Sequence, residues 1–144
     1  MASTPYDLVT RYYRALTAGD WAAYDDVFTS DVVLEAFGGV SATGVDAVRG
    51  FDGIWKHAAP DFTITPLLVA QNGDSLLCEI LAWGTHTDVL SLPAGDLPAT
   101  GREFGGRGVG IFEVRGDRLS AQRIYFDRMI LVERLGIPVP APVA

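Results

Sequence analysis

The amino-acid sequence predicts an α+β fold in which N-terminal helices pack on one face of a strongly bent antiparallel sheet and enclose a cavity. Three observations carry this. Apolar residues recur at helical spacing through the first third of the chain, two β-hairpin signals follow in the second half, and neither a repeat nor a linker interrupts the 144 residues. That length fits one domain, residues 1–144, and 49% hydrophobic residues suffice for a real core.

Ser3-Thr4-Pro5 opens the first helix: a hydroxyl cap, then proline at the first helical position, where its missing N–H costs nothing. Leu8, Tyr12, Ala15 and Leu16 form its apolar stripe, Gly19 stops it, and Asp20 caps a second helix carrying Trp21, Tyr24 and Phe28. A short strand runs from Asp31 to Phe37 and ends at Gly38-Gly39. A third helix spans Val45 to His57, weakened by Gly50 and Gly53 and ended by Pro60. Phe62 to Ala70 and Ser75 to Thr87 flank Asn72-Gly73, which supplies the positive φ angles of a tight turn, and make the first hairpin. Asp88 to Thr100, holding Pro93, Gly95 and Pro98, reads as a loop. Arg107 to Arg115 and Arg118 to Phe126 make the second hairpin across Gly116-Asp117. A helix from Met129 to Leu135 precedes Gly136 and a proline-rich tail. Glycines 105, 106, 108 and 110 fit either sheet bending with close backbone approach or a mobile loop entering the strand.

Composition removes several classes of function. Eighteen acidic against eleven basic side chains give a net charge of −7, without the Lys/Arg excess that nucleic acid or an anionic membrane surface demands. Cys78 is the only cysteine, which excludes a disulfide framework or multi-cysteine metal site, and His57 and His86 alone do not make a histidine-rich zinc site. Met1 to Leu16 carries Asp7, Arg11 and Arg14 rather than the apolar core of a signal peptide, and no stretch approaches the ~20 apolar residues that span a bilayer. A cytoplasmic protein is expected. There is no Gly-x-Ser-x-Gly elbow, phosphate loop or dinucleotide fingerprint. The reactive inventory reduces to carboxylates, arginines, tyrosines and His86.

Asp127 ends the aromatic strand Ile124-Tyr125-Phe126 and precedes the apolar helix of Met129, Ile130, Leu131, Val132 and Leu135. Apolar neighbours on both sides predict a desolvated carboxylate, a stronger base than usual. The competing reading is a helix N-cap or an ion pair with Arg123 or Arg128. His86 shares a strand face with Cys78, Ile80 and Ala82, where it either serves a ligand or is a hydrogen-bonded core histidine. Glu35 alternates with Val33 and Phe37, as a cavity group or as an edge charge facing water. Tyr12, Tyr13 and Trp55 fill core or line a pocket, with Trp55, Trp83 and Phe126 suited to the walls around a flat ligand. His57 is explained by a helix dipole and Cys78 as a small buried hydrophobe.

Three segments taken together resemble the SnoaL-like polyketide cyclases of the NTF2-like superfamily. They are Trp83-Gly84-Thr85-His86-Thr87, Leu97-Pro98-Ala99-Thr100-Gly101-Arg102, and Arg123-Ile124-Tyr125-Phe126-Asp127 running into Leu131 to Gly136. Tyr12-Tyr13-x-Ala15-Leu16 and Asp20-Trp21 match as well, so the resemblance spans roughly residues 6–137. It implies an NTF2-like, cone-shaped α+β barrel, a catalytic carboxylate at Asp127, and His86 facing the same cavity. It implies ring closure of an aromatic polyketide ester by intramolecular aldol condensation, with no metal or cofactor, in a homo-oligomer (dimer or tetramer). The predicted site is Asp127 and His86 for catalysis, with Tyr12, Glu35, Trp55, Trp83, Arg107 and Tyr125 for a hydrophobic small-molecule substrate. The chain departs from the family at a longer 88–96 link, at Tyr125 where tryptophan is common, and at Arg134 where glutamine is usual. The alternatives are a limonene-type epoxide hydrolase with Arg102, Arg107 or Arg123 between carboxylates, a ketosteroid-isomerase-like enzyme using a buried tyrosine, and a non-catalytic binder.

Overall fold

The computed structural model describes residues 4–93 and 95–137, and within them each helix has a local cause. Ser3 and the proline-rich tail lie outside the described residues. Thr4 and Asp7 satisfy each other across the start of α1 (Pro5–Ala18): the Asp7 N–H donates to Thr4 Oγ1 at 3.1 Å and the Thr4 N–H to Asp7 Oδ2 at 3.0 Å. Gly19, at φ 69°, closes the helix in the left-handed conformation. Asp20 caps α2 (Trp21–Asp26) by accepting from the Ala23 N–H. The strands β1 (Phe28–Ala36) and β2 (Val40–Thr43) follow, then α3 (Val45–Ala58). Lys56 ties the end of α3 to the end of α1, its Nζ donating to Thr17 O at 2.7 Å and to Pro60 O at 2.6 Å.

The rest of the chain is β3 (Thr63–Asn72), β4 (Ser75–Thr85), β5 (Leu90–Leu92), β6 (Gly95–Leu97), β7 (Glu103–Arg115), β8 (Arg118–Phe126) and α4 (Arg128–Leu135). Six strands form one sheet in the order β2-β1-β8-β7-β4-β3, and β5 pairs with β6 in a separate ribbon.

Four expectations need correction. The sheet does not close into a barrel, since β2 and β3 remain as edges. It is not wholly antiparallel, because β1 runs parallel to β8. Their connection passes through most of the chain, so hairpin geometry places no constraint on their direction. The 88–100 segment contains the β5–β6 ribbon, and Phe28, expected on the second helix, opens β1 instead; Val40–Thr43 adds a strand too short to carry a periodic signal. Register shifts in β1, β3 and β7 bend the sheet around the helices.

Register decides what faces the helices. Leu34, Gln122, Phe112 and Leu76 pair in a row across β1, β8, β7 and β4, and all four are buried. One residue along, Glu35, Arg123, Ile111 and Leu77 form the next row, and Glu35 and Leu77 are exposed. Adjacent residues of a strand point to opposite faces, so the two rows belong to opposite sides of the sheet.

Candidate active site

Four elements converge on one buried carboxylate. Asp52 sits on the inward stripe of α3 with Val48, Phe51 and Trp55, and is 4% exposed. Tyr12 of α1 donates its hydroxyl proton to Asp52 Oδ2 at 2.7 Å, and Tyr24 of α2 donates to the same oxygen at 2.6 Å. Gln122 of β8 donates from Nε2 to Tyr12 Oη at 3.0 Å. Burial pushes the Asp52 carboxyl from 3.8 up to about 6, against the two tyrosine hydrogen bonds that stabilise its charged form. Burial, and then the Asp52 charge, hold the Tyr12 and Tyr24 hydroxyls well above their usual range. Both therefore remain donors.

The carboxylate opens on a cavity of about 50 Å³ walled by Phe37, Phe51, Trp55, Phe104 and Phe126, with Tyr13, Ile124 and Leu131 completing it. The glycines of β7 shape this wall. A Cβ on Gly108 would stand 2.7 Å from the Phe126 ring, and one on Gly110 would stand 2.9 Å from the Tyr13 hydroxyl. Each glycine lets an aromatic side chain lie against bare backbone. Gly105 has φ 139°, and a Cβ there would fall 2.0 Å from Ala82 O. The glycine run is thus close backbone approach within a strand, one of the two readings its sequence allowed.

The structure divides the predicted site residues. Tyr12 and Trp55 line the cavity. Glu35, Arg107, Tyr125 and Asp127 line a different depression, on the outer face of the sheet, together with Glu79 and Arg123. Asp127 is exposed and caps α4, its Oδ1 accepting from the Met129 N–H at 2.9 Å and the Ile130 N–H at 3.4 Å. The expectation of a desolvated carboxylate there is corrected: of the apolar neighbours in sequence, Tyr125, Met129 and Ile130 are themselves exposed, and Leu131 turns inward to the core. Trp83 is on the outward parity of β4, with the Arg134 guanidinium 4.9 Å above its ring.

His86 is fully buried but stands behind the cavity wall rather than in it. Its ring meets Phe104 edge-on at 6.3 Å, and Nδ1 accepts from the Thr100 N–H at 3.3 Å. Backbone bonds from His86 N to Arg102 O and from Gly101 N to His86 O complete the clasp. Two of the segments that carry the family resemblance are therefore paired with each other, and His86 and Asp127 are not brought together.

Asp52, Tyr24 and Gln122 were not among the site residues the sequence singled out, yet Asp52 and Gln122 each left a signal. Asp52 occupies a helix position that Val48, Phe51 and Trp55 mark as inward, and Gln122 shares its strand face with Ile124 and Phe126.

Comparison with known proteins follows the same lines. The profile of the SnoaL-like domain matches residues 9–122. Among curated proteins, none matches. Of solved structures, IdmH from Streptomyces antibioticus, a candidate polyketide cyclase, is 23% identical with a TM-score of 0.78, over 94% of this chain and 100% of that one. A candidate polyketide cyclase from Pseudomonas putida is 22% identical with a TM-score of 0.79, over 92% and 98%. An LEH-like epoxide hydrolase from M. tuberculosis is 18% identical with a TM-score of 0.71, over 91% and 88%. At these identities the likeness establishes the fold.

Proposed function

The chain belongs to the SnoaL-like domain family, and from that premise we propose that it is a cofactor-independent polyketide cyclase whose general base is Asp52. One observation carries the reading: Asp52 is the only carboxylate among the described residues that line the cavity, and burial makes it a stronger base. In this reading Asp52 removes a proton from a carbon flanked by two carbonyl groups. The enolate attacks a ketone of the same molecule, a carbon–carbon bond closes the ring, and the new alkoxide takes the proton back from Asp52. Atoms are conserved, so product and substrate have equal mass. Proton transfer contributes about 10²–10⁴-fold, and confinement of both carbons supplies much of the rest.

The cavity is smaller than the about 300–1,000 Å³ of sites that enclose a drug-sized ligand. The substrate's reacting edge then reaches Asp52 as the aromatic wall parts for its rings. The epoxide-hydrolase alternative has weaker support, because no arginine and no second carboxylate lines the cavity among the described residues. The isomerase alternative would have to draw its oxyanion donor from Tyr13, which lines the cavity, because Tyr12 and Tyr24 both donate to Asp52. We carry forward one domain over residues 1–144, cytoplasmic location and a homo-oligomer as part of this reading, the last checked by sedimentation.

The test is mass spectrometry and absorbance of the protein with an anthraquinone polyketide methyl ester. A product of unchanged mass and altered chromophore is expected, and Asp52→Asn should remove it with the fold intact by circular dichroism. If Asp127→Asn removes turnover and Asp52→Asn does not, the assignment of the base is wrong.

A further inference from the structure

We propose that the cavity is a binding site for a compact organic cation, a protonated aliphatic amine seated on Asp52 and Gln122 inside the aromatic wall.

Proton accounting comes first. Tyr12 has one hydroxyl proton and gives it to Asp52 Oδ2, so its 3.0 Å contact with Gln122 must be the amide N–H donating. That orientation leaves Gln122 Oε1 as a fully buried acceptor with no partner, on a side chain 2% exposed. Tyr24 spends its proton on the same Asp52 oxygen, and Asp52 Oδ1 accepts no hydrogen bond from the described residues. Two acceptors thus stand unsatisfied, each on a group one hydrogen bond from Tyr12 Oη. The remaining side-chain donors of the wall are the Tyr13 hydroxyl, which meets the Cys78 sulfur, the second amide N–H of Gln122 and the Trp55 indole.

Charge points the same way. No lysine, arginine or histidine lines the cavity among the described residues, and both partners of Asp52 are neutral. Arg49, on the same helix, is paired with Asp25 and Asp46, and Lys56 is held by backbone carbonyls. A buried carboxylate without a counter-charge is costly, and a bound cation removes that cost. A metal ion is a poor candidate, since hard cations take about six or more oxygen ligands. An organic cation suits the walls, which are built from the rings of Phe37, Phe51, Trp55, Phe104 and Phe126. Aromatic faces attract cations within about 6 Å. One water needs about 10–15 Å³, so the cavity of about 50 Å³ has room for a branched head of a few heavy atoms. A net charge of −7 favours cations at the approach.

This inference does not require Asp52 to act as a base. The experiment titrates the full chain at pH 8, by calorimetry and by amide and indole NMR, with tert-butylammonium, tetramethylammonium and tert-butanol. Tert-butylammonium offers charge and N–H donors, tetramethylammonium charge alone, and tert-butanol one donor and no charge. The expected affinities fall in that order, with about tenfold between first and last. Shifts should centre on the Trp55 indole and the Gln122 side-chain amide, and Asp52→Asn should lose about the same tenfold. Should that variant misfold, the wild-type protein decides. Binding should weaken as the pH falls through about 6, where Asp52 takes up its proton. Tyr12, Tyr13 and Tyr24 stay neutral throughout that range, and an aliphatic ammonium stays charged to about pH 10. Tert-butanol binding as tightly as the ammonium, or an affinity unchanged between pH 8 and pH 5, overturns the proposal. Ring closure that depends on Asp52 would survive that result, and ammonium binding would survive failure of the ring-closure assay.

Discussion

The two faces of strand β8 differ in everything except their backbone. Gln122, Ile124 and Phe126 turn inward to a cavity of about 50 Å³ holding one ionisable carboxylate, Asp52, with neutral partners. Arg123, Tyr125 and Asp127 turn outward to a depression of about 540 Å³ where Glu35, Glu79 and Arg107 add charges of both signs. Volume and charge count favour the outer face as a site. Desolvation favours the inner one, because water screens the outer charges while burial drives Asp52 up to about 6. The comparison teaches that a base is made by what surrounds a carboxylate, and that adjacent residues of one strand can have opposite surroundings.

The largest expected effect breaks or keeps this distinction. Asp52→Asn should lower turnover of the polyketide ester about 10²–10⁴-fold, while Asp127→Asn should leave it within a few-fold. Paired steady-state rates measure both. Next is the wall itself. Gly105→Ala forces a side chain onto φ 139° and into Ala82 O, and nothing soft can yield. A loss of about 3 kcal/mol or more in urea unfolding is expected, with failure to fold as the extreme. A near-neutral result would mean that β4 and β7 part enough at this point to admit a side chain.

These effects also mark how far the sequence was legible. Caps, stripes and turns placed every helix and both long hairpins, because Thr4, Gly19, Asp20 and Asn72-Gly73 act through local geometry. The β1–β8 pairing was not legible, since no local rule links strands so far apart in the chain. The predicted site residues are divided between two faces for a different reason. Reading Asp127 by its sequence neighbours ignores strand alternation, which puts it with Arg123 and Tyr125 on the wet face. Applying the same alternation to His86 put it on the inward face, with Cys78 and Ala82, and the structure agrees. What alternation cannot say is that Phe104 intervenes. Asp52 was hidden by helical context, one polar residue on an apolar stripe.

A third effect concerns stability. The folded protein keeps the Asp52 proton to about pH 6, whereas the unfolded chain releases it near 3.8. Between those values the native state binds more protons, so this group makes stability fall as pH rises, by about 3 kcal/mol when complete. Asp7, Asp31 and Asp61, held below the usual range by hydrogen bonds from Thr4, Arg115 and Thr85, act in the opposite sense at lower pH. The difference between wild type and Asp52→Asn isolates the inner carboxylate. Denaturant titrations from pH 4 to pH 7 should find the variant gaining on wild type by that amount as pH rises. Parallel curves would mean that water reaches Asp52 freely.

The outer face should respond far less. Asp127→Ala removes the carboxylate oxygen that accepts from two backbone N–H groups at the start of α4 and should cost about 1 kcal/mol, with turnover kept. Asn at this position caps nearly as well and should restore most of it.

Smallest of all is the charge on β7. Arg107 Nη1 stands 3.4 Å from Glu79 Oε1, with the arginine side chain 72% exposed. Such a pair gains little Coulomb energy in water and loses side-chain entropy in being held. Arg107→Gln should therefore change stability by no more than about 0.5 kcal/mol, and salt should erase even that. Turnover should not change, because the guanidinium is separated from Asp52 by the sheet. If Arg107→Gln instead cuts turnover with the fold intact, the substrate reaches the outer depression, and the division of labour between the two faces is wrong.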